Sequence, residues 1–453
     1  MIKVDKDFKD RNVCVLGLGY VGLTLALAMA DVGFIVHGVE IRDDVLNRLK
    51  KGKAHFFEPG LENLLQRLVK AERIKFSKHI PSAAGASVYI ITVGTPLNDV
   101  GVVRLEMIEN VAREVGSTLK KGDLVILRST VKIGTTSKIV APILKKSGVD
   151  FELAFCPERT LEGKALEELR QLPQIIGGKT IPTAVRAGQI FQFLTPTVVR
   201  VNDVETAEMI KLIDNSQRDV TFAFSNEVAR LCDKVGISAM EVIQAGKLGY
   251  PRTNLPMPGL VGGPCLIKDP YILAEGCRER GVTPDIALLA RRLNEKQPEE
   301  IVSFLSTFTR SLKRFPKNPK IALLGIAFKG RPETDDLRGT MARPVLAALK
   351  RHFPQAEFVG YDPVVSRSEI KSFGVRPTSS LRTALSGSSL ALILNNHPVF
   401  SSMPIDNLSK LMKPSGLIYD FWNSFTGTRF ELPPGIGYMA LGSHSSIALH
   451  PIE

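Results

Sequence analysis

A glycine loop set between a strand pattern and a helix pattern constrains this chain more than any other feature. Residues 13–16 are apolar, and Gly17-Leu18-Gly19-Tyr20-Val21-Gly22 follows at once. The apolar stretch 23–30 reads as a helix with Gly33 as its C-terminal cap. Residues 34–39 read as a second strand leading into Glu40, 23 residues beyond Gly17. GxGxxG alone is weak, but strand, loop, helix, strand and a terminal acid in that order predict a dinucleotide site. Gly17 would make the tight turn, Gly19 would admit the pyrophosphate, and Gly22 would let helix and strand pack closely. The helix N-terminus would face the phosphates, with Tyr20 and Val21 counted among the cofactor residues. Glu40 would accept hydrogen bonds from the adenosine ribose and repel a 2′-phosphate, favouring NAD over NADP. Arg42 weakens that preference slightly, because a nearby Arg can hold a 2′-phosphate.

The strand–helix alternation continues. Residues 87–93 form an apolar strand pattern ending in Gly94-Thr95-Pro96, and residues 123–127 another ending in Arg128-Ser129-Thr130. Small polar groups at the carboxyl ends of parallel strands lie where open α/β sheets bind ligands. Thr95 and Thr130 therefore either touch the cofactor or cap the next helix. The strand 151–155 leads into Cys156-Pro157-Glu158-Arg159-Thr160-Leu161-Glu162-Gly163. A loop carboxylate that meets substrate there would serve as a base; the competing expectation is a salt bridge to Arg159 or Arg170.

Residues 203–235 hold the longest helical pattern, with Asp203 as N-cap and Gly236 as stop. At about 1.5 Å per residue it would approach 50 Å, the length of helices that join domains or pair subunits. Lys211 and Asn215 share one face at i and i+4. Further helical patterns cover residues 239–245, 270–281 and 284–312. Val261-Gly262-Gly263-Pro264-Cys265-Leu266-Ile267-Lys268-Asp269 sets a thiol on a Gly/Pro-stiffened loop with a cation and an acid close behind. A thiol beside a cation ionises more easily, and the thiolate is the reactive form. The opposing expectation is a buried structural cysteine on a tight turn.

Residues 311–320, basic and with two prolines, read as an interdomain linker. Strand patterns at 321–325, 358–361, 390–394 and 416–420 then repeat the α/β theme without GxGxxG. Phe328-Lys329-Gly330-Arg331-Pro332-Glu333-Thr334-Asp335-Asp336-Leu337-Arg338 takes its place. A second nucleotide lobe is expected, unless Lys329 and Arg338 merely balance the three acids between them. The fold class is α/β, with two Rossmann-like doubly wound domains joined by a long helix and a helical middle region. The expected domains are residues 1–200, 201–312 and 313–453.

Five scattered cysteines without a CxxC pair suggest neither disulfides nor a metal site. The N-terminal residues 1–7 hold no apolar core of signal-peptide length, and no uncharged apolar run is long enough to span a bilayer, which makes the cytoplasm the expected compartment. A net charge of +13 suits an anionic small substrate as well as nucleic acid. Nucleic-acid motifs are missing, so no nucleic-acid partner and no membrane partner is expected.

GLGYVG, Glu58-Pro59-Gly60-Leu61, VGTP, STV, PERTLEG, the Lys211/Asn215 helix, GGPCLIKD and FKGRPETDDLRG occur in one order. In that order they resemble the nucleotide-sugar 6-dehydrogenase family over nearly the whole chain. The resemblance implies oxidation of the C6 alcohol of a nucleotide sugar to a carboxylate, with two NAD+ consumed, for surface polysaccharide precursors. It implies that Cys265 is the nucleophile and that Lys211, with Asn215 beside it, stabilises the developing oxyanion or holds the proton of the oxidised hydroxyl. Asp269 would hold a water, Glu158 would act as base in thioester hydrolysis, and Thr130 would position that water. Glu158, Arg159, Lys211, Asn215, Arg252, Gly262 and Lys329 would meet the sugar nucleotide, Arg252 reaching that of a neighbouring subunit. Arg338 would join Gly17, Gly19, Tyr20, Val21, Gly22, Glu40, Thr95 and Thr130 around the cofactor. Lys268 fits a structural or charge-setting role. A homodimer or larger homo-oligomer is implied.

The Gly-Gly-Pro-Cys loop and Glu158-Arg159-Thr160 are most similar to the UDP-N-acetylhexosamine branch, with UDP-glucose and GDP-mannose enzymes as alternatives. A two-electron hydroxyacid or 6-phosphogluconate type of dehydrogenase is the rival from another class, and it would not need Cys265.

Overall fold

A computed structural model describes residues 3–81, 84–98, 101–426 and 429–444. Two compact units divide the chain: residues up to Asn215 with Lys268–Pro284, and Ser216–Ile267 with residues from Asp285 onward. Residues 201–312, expected as a middle domain, contribute to both units. The cut falls within one helix, Val204–Val235, as long as the sequence predicts.

The first unit is built on strands β1 (Asn12–Leu16), β2 (Ile35–Val39), β3 (Ile74–Ser77), β4 (Val88–Ile91), β5 (Asp123–Leu127), β6 (Phe151–Phe155), β7 (Gln174–Gly178) and β8 (Val198–Val201). Their order is β3-β2-β1-β4-β5-β6-β7-β8, parallel except where β6 meets β7. Every residue of β4 and β5 is buried, as expected for strands covered on both faces. The helix Tyr20–Val32 covers one face and ends on Gly33, whose φ of 116° is the left-handed cap expected. Strands β3, β7 and β8 were not anticipated. β3 has one buried residue and β8 none to mark them, and β7 opens on Gln174 and ends in two glycines.

The second unit carries β9 (Lys320–Leu324), β10 (Glu357–Tyr361), β11 (Arg376–Pro377), β12 (Leu390–Ile393), β13 (Gly416–Asp420) and β14 (Ile436–Ala440). Their order, β11-β10-β9-β12-β13-β14, is all parallel. Counted within the unit this is 3-2-1-4-5-6, the doubly wound order that the first six strands of the first sheet also follow. Residues 311–320 are not a linker between units: the helix Asp285–Ser311 and β9 lie in the same unit. Their contacts explain this, because Val302 and Leu305 of that helix join Ile321 and Leu323 of β9 in one core.

Candidate active site

In the first unit the strand order reverses between β1 and β4, and the glycine loop sits at that point. Gly17 turns with φ 91°, and a Cβ there would strike Val93 Cγ1 at 2.8 Å. A Cβ on Gly22 would lie 1.8 Å from the Gly17 carbonyl, so helix and strand pack as the motif requires. Around Gly19 a Cβ would meet nothing within 4 Å, which leaves the approach to the helix N-terminus open to a phosphate. Glu40 Oε2 accepts from the Leu18 N–H (3.0 Å) and Oε1 from the Arg42 N–H (3.1 Å), fixing the acid against the loop. The Arg42 guanidinium turns to Asp44 at 3.3 Å, so the NAD preference stands on Glu40. This cradle fits NAD+.

Tyr20 plays a second part. Its hydroxyl donates to Glu58 and accepts from the Gly163 N–H at 2.8 Å. Glu58, buried, also accepts from the Gly163 and Ala165 N–H groups, both at 2.7 Å. Tyr20 and Glu58 therefore clip the PERTLEG loop to the cofactor helix. Thr95 and Thr130 cap no helix: the Thr95 hydroxyl donates to the Thr130 carbonyl at 2.5 Å, joining the loops after β4 and β5.

Glu158 is buried, and its partner is neither Arg159 nor Arg170. Arg128, at the end of β5 and 1% exposed at its side chain, donates to Glu158 Oε2 at 2.5 Å. The Arg159 and Thr160 N–H groups donate to Oε1 at 2.7 and 2.8 Å. Burial works to raise the Glu158 pKa, but Arg128, the Thr160 N–H and Lys211 outweigh it and hold the carboxyl below its ordinary range. The Arg159 side chain is engaged elsewhere, with Asp214 at 3.3 Å and the Pro173 carbonyl at 2.9 Å. Arg170 pairs with Asp31.

Lys211 and Asn215 are both buried on the long helix. Asn215 Nδ2 donates to Asp269 Oδ2 at 2.5 Å, and Lys268 Nζ lies 3.1 Å from Oδ1. Among the described residues the Lys211 ammonium makes no hydrogen bond or ion pair, though Glu158 feels its charge. A buried ammonium so placed suits a substrate oxygen that gains negative charge. One turn before it, Glu208 accepts from the Gly134 N–H (2.5 Å), the Thr136 N–H (2.8 Å) and the Thr136 hydroxyl (2.6 Å). It fixes the loop that follows Thr130.

In the second unit Cys265 is exposed, against the expectation of a buried structural thiol, whereas Cys14, Cys156 and Cys232 are buried. Burial pushes the Cys14 and Cys156 thiols up to about 12. The glycines before Cys265 are needed for packing. A Cβ on Gly262 would meet the Gly339 carbonyl at 2.4 Å, and one on Gly263 the Phe328 ring at 2.5 Å. The Gly263 N–H donates to the Gly339 carbonyl at 2.8 Å. The cysteine loop and the FKGRPETDDLRG loop are thus packed together. Arg338 grips Asp336 through two nitrogens, the nearest contact 2.6 Å, so part of its charge is balanced locally, as the alternative reading held. Lys329 Nζ stands 5.3 Å from the Phe328 ring centre and Arg252 stacks 4.5 Å over Tyr250.

The NAD binding domain of the UDP-glucose/GDP-mannose dehydrogenase family matches residues 11–195, its central domain residues 205–296, and its UDP binding domain residues 322–427. The chain belongs to this family. It is accordingly an NAD-dependent nucleotide-sugar dehydrogenase. UDP-N-acetyl-D-mannosamine dehydrogenase of Pyrococcus horikoshii is 32% identical over 439 residues, 95% of this chain and 98% of that protein. The solved UDP-D-ManNAc dehydrogenase from P. horikoshii has a TM-score of 0.83, covering 96% of this chain and 99% of its own. A solved UDP-glucose dehydrogenase from Pyrobaculum islandicum has a TM-score of 0.84 at 26% identity, covering 95% and 99%. No helix among the described residues of this dehydrogenase is long and apolar enough to cross a membrane.

The motifs pointed to Cys265, Lys211, Asn215, Asp269 and Glu158, but not to Arg128 as the group that holds Glu158 or to Glu58 as the group that holds the loop after it. The signal for Arg128 was present: a cation directly after a strand that is apolar from Leu124 to Leu127.

Proposed function

We propose that this cytoplasmic dehydrogenase oxidises the C6 alcohol of a UDP-N-acetylhexosamine to the uronic acid, for a surface polysaccharide precursor. The exposed Cys265, on a loop whose glycines are fixed by packing, carries the reading: an oxidation that stopped at the aldehyde would have no use for it. The N-acetylated sugar is supported by the relative from P. horikoshii and by the Gly-Gly-Pro-Cys form of the loop.

Gly17, Gly19, Gly22 and Glu40 would hold NAD+, which when bound accepts a hydride from C6 in each of two oxidations. Lys211, with Asn215 beside it, holds the C6 oxygen as the aldehyde forms. The Cys265 thiolate then bonds to the aldehyde carbon, and the carbonyl π pair moves to the oxygen, which Lys211 steadies and which takes up a proton. That thiohemiacetal, oxidised, is a thioester. Water placed by Asp269 and Thr130 adds to it, Glu158 accepts the water proton, and the C–S pair returns to Cys265. One alcohol and one water thus yield one carboxylate, two hydrides and three protons.

Arg128 shapes what Glu158 does. An acid held below its ordinary range is fully ionised at neutrality, ready to accept a hydrogen bond from water, and weak as a free base. We also assign a homodimer to the stripe Phe224, Leu231 and Val235, 51, 57 and 71% exposed on one face of the long helix. Sedimentation of Leu231→Glu checks this, with monomer expected.

UDP-glucose remains the second reading, favoured by the likeness to the P. islandicum enzyme. An NADH-release screen over UDP-Glc, UDP-GlcNAc, UDP-GalNAc, UDP-ManNAc and GDP-Man decides. The highest kcat/KM on an N-acetylated UDP-sugar is expected, and a preference for UDP-Glc would overturn the substrate.

A further inference from the structure

Arg291 is fully buried in the helix Asp285–Ser311 of the second unit. Its guanidinium donates to the Val261 carbonyl (Nη2, 3.0 Å) and to the Leu266 carbonyl (Nη1, 3.2 Å). Those two residues bracket Gly262, Gly263, Pro264 and Cys265. Asp219, also fully buried, accepts from Arg291 Nη1 at 3.0 Å and from Asn294 Nδ2 at 3.0 Å. Asn294 Oδ1 in turn accepts from Asn226, whose own Oδ1 accepts from the Gly259 N–H, both at 2.9 Å. Three points on the run into and out of the cysteine loop are therefore tied to one buried polar cluster.

Apolar packing would fill this space at lower desolvation cost, since a buried guanidinium loses its hydration before its partners compensate. What an apolar residue cannot do is hold two backbone carbonyls five positions apart with one rigid fork. The Gly339 carbonyl and the Phe328 ring hold the loop from another element. We propose that Arg291 is a positioning residue for the nucleophile: by stapling Val261 to Leu266 it fixes where the Cys265 thiol is presented. This rests on Cys265 being the nucleophile; Arg291 itself lies outside the GGPCLIKD stretch that carries the thiol.

The test compares full-length wild type, Arg291→Lys, Arg291→Met and the double variant Asp219→Asn/Arg291→Met, which leaves no unpaired buried carboxylate to unfold the protein. In whichever variants retain the wild-type circular dichroism, kcat, KM for NAD+, NADH per sugar and the iodoacetamide alkylation rate of Cys265 are measured. Misplacing a reacting atom by an ångström can cost about 100-fold, so a kcat loss approaching that is expected in the Met variants. KM for NAD+ should stay within about twofold, because the cofactor loop is untouched. NADH per sugar should fall below two as aldehyde escapes capture, alkylation should change at least about fivefold, and Lys should restore part of each. Unchanged alkylation and NADH yield in a folded Met variant, or in Arg291→Lys should neither Met variant fold, would overturn the proposal. Cys265→Ala separates the two claims. If it still makes two NADH per sugar, the nucleophile reading itself fails; if it does not while the Arg291 variants match wild type, only the positioning role fails.

Discussion

Arg128 and Glu158 form a buried ion pair, 2.5 Å between Nη2 and Oε2, with side chains 1% and 9% exposed. Arg128 Nη1 also donates to the Cys156 carbonyl and to Gln174 Oε1, both at 2.9 Å. It thus holds the carboxylate and the backbone leading to it.

Removing one partner of such a pair leaves a buried charge uncompensated, which costs about 3–5 kcal/mol. Arg128→Met should lower stability to urea by that amount, and Arg128→Met/Glu158→Gln should recover a large part of it. The sign with pH follows from the depressed Glu158 pKa: its contribution is present above the unfolded carboxyl pKa and is lost as pH falls through the folded one. Urea midpoints that fell between neutrality and mildly acid pH in the native protein but not in Glu158→Gln would contradict this.

Glu208 behaves oppositely. Burial, only partly offset by hydrogen bonds from Thr136 and Gly134, raises its pKa from 4.5 to about 7. The folded protein then holds a proton that the unfolded chain has lost, so stability falls as pH rises through this window and levels off above it. Glu208→Gln, whose amide oxygen can still accept from the loop, should flatten that part of the curve. Urea midpoints measured across the window check it.

Thiol labelling should follow burial. Native protein treated briefly with iodoacetamide should carry the label on Cys265 first, with Cys277, half-buried, slower. Cys14 and Cys156, pushed up to about 12 by burial, should label only on unfolding. Peptide mass spectrometry reads the order.

Asp269 orients Asn215 across a 2.5 Å hydrogen bond. Asp269→Asn should lower kcat by at least about 100-fold, the scale of losing positioned proton-transfer chemistry, with NAD+ affinity retained. Stopped-flow NADH formation against an NAD+ titration separates the two effects.

Much of this was legible in the residues. The strands β5, β6 and β13 match their predicted bounds; in β5 and β13 this is because every residue is buried and the middle of each strand is a continuous apolar run. Gly17, Gly22 and Gly33 could be read from the motif because each answers a local steric demand. Arg128 and Arg291 could not be assigned partners, because those partners lie far along the chain and only the fold brings them in. Arg291 did leave a trace: it shares a spacing of three to four with Ala287, Asn294, Pro298 and Ile301, all buried, so a cation stood on the core stripe of its helix. How contacts divide within residues 201–312 was not legible, because helix length shows continuity and says nothing of where contacts divide.

Cys265 is proposed to carry a four-electron oxidation. With the preferred UDP-sugar limiting and NAD+ in excess, two NADH per sugar are predicted for the native enzyme. Cys265→Ser should not sustain that turnover, while still binding NAD+. One NADH per sugar, with the same rate and yield in Cys265→Ala, would contradict the account.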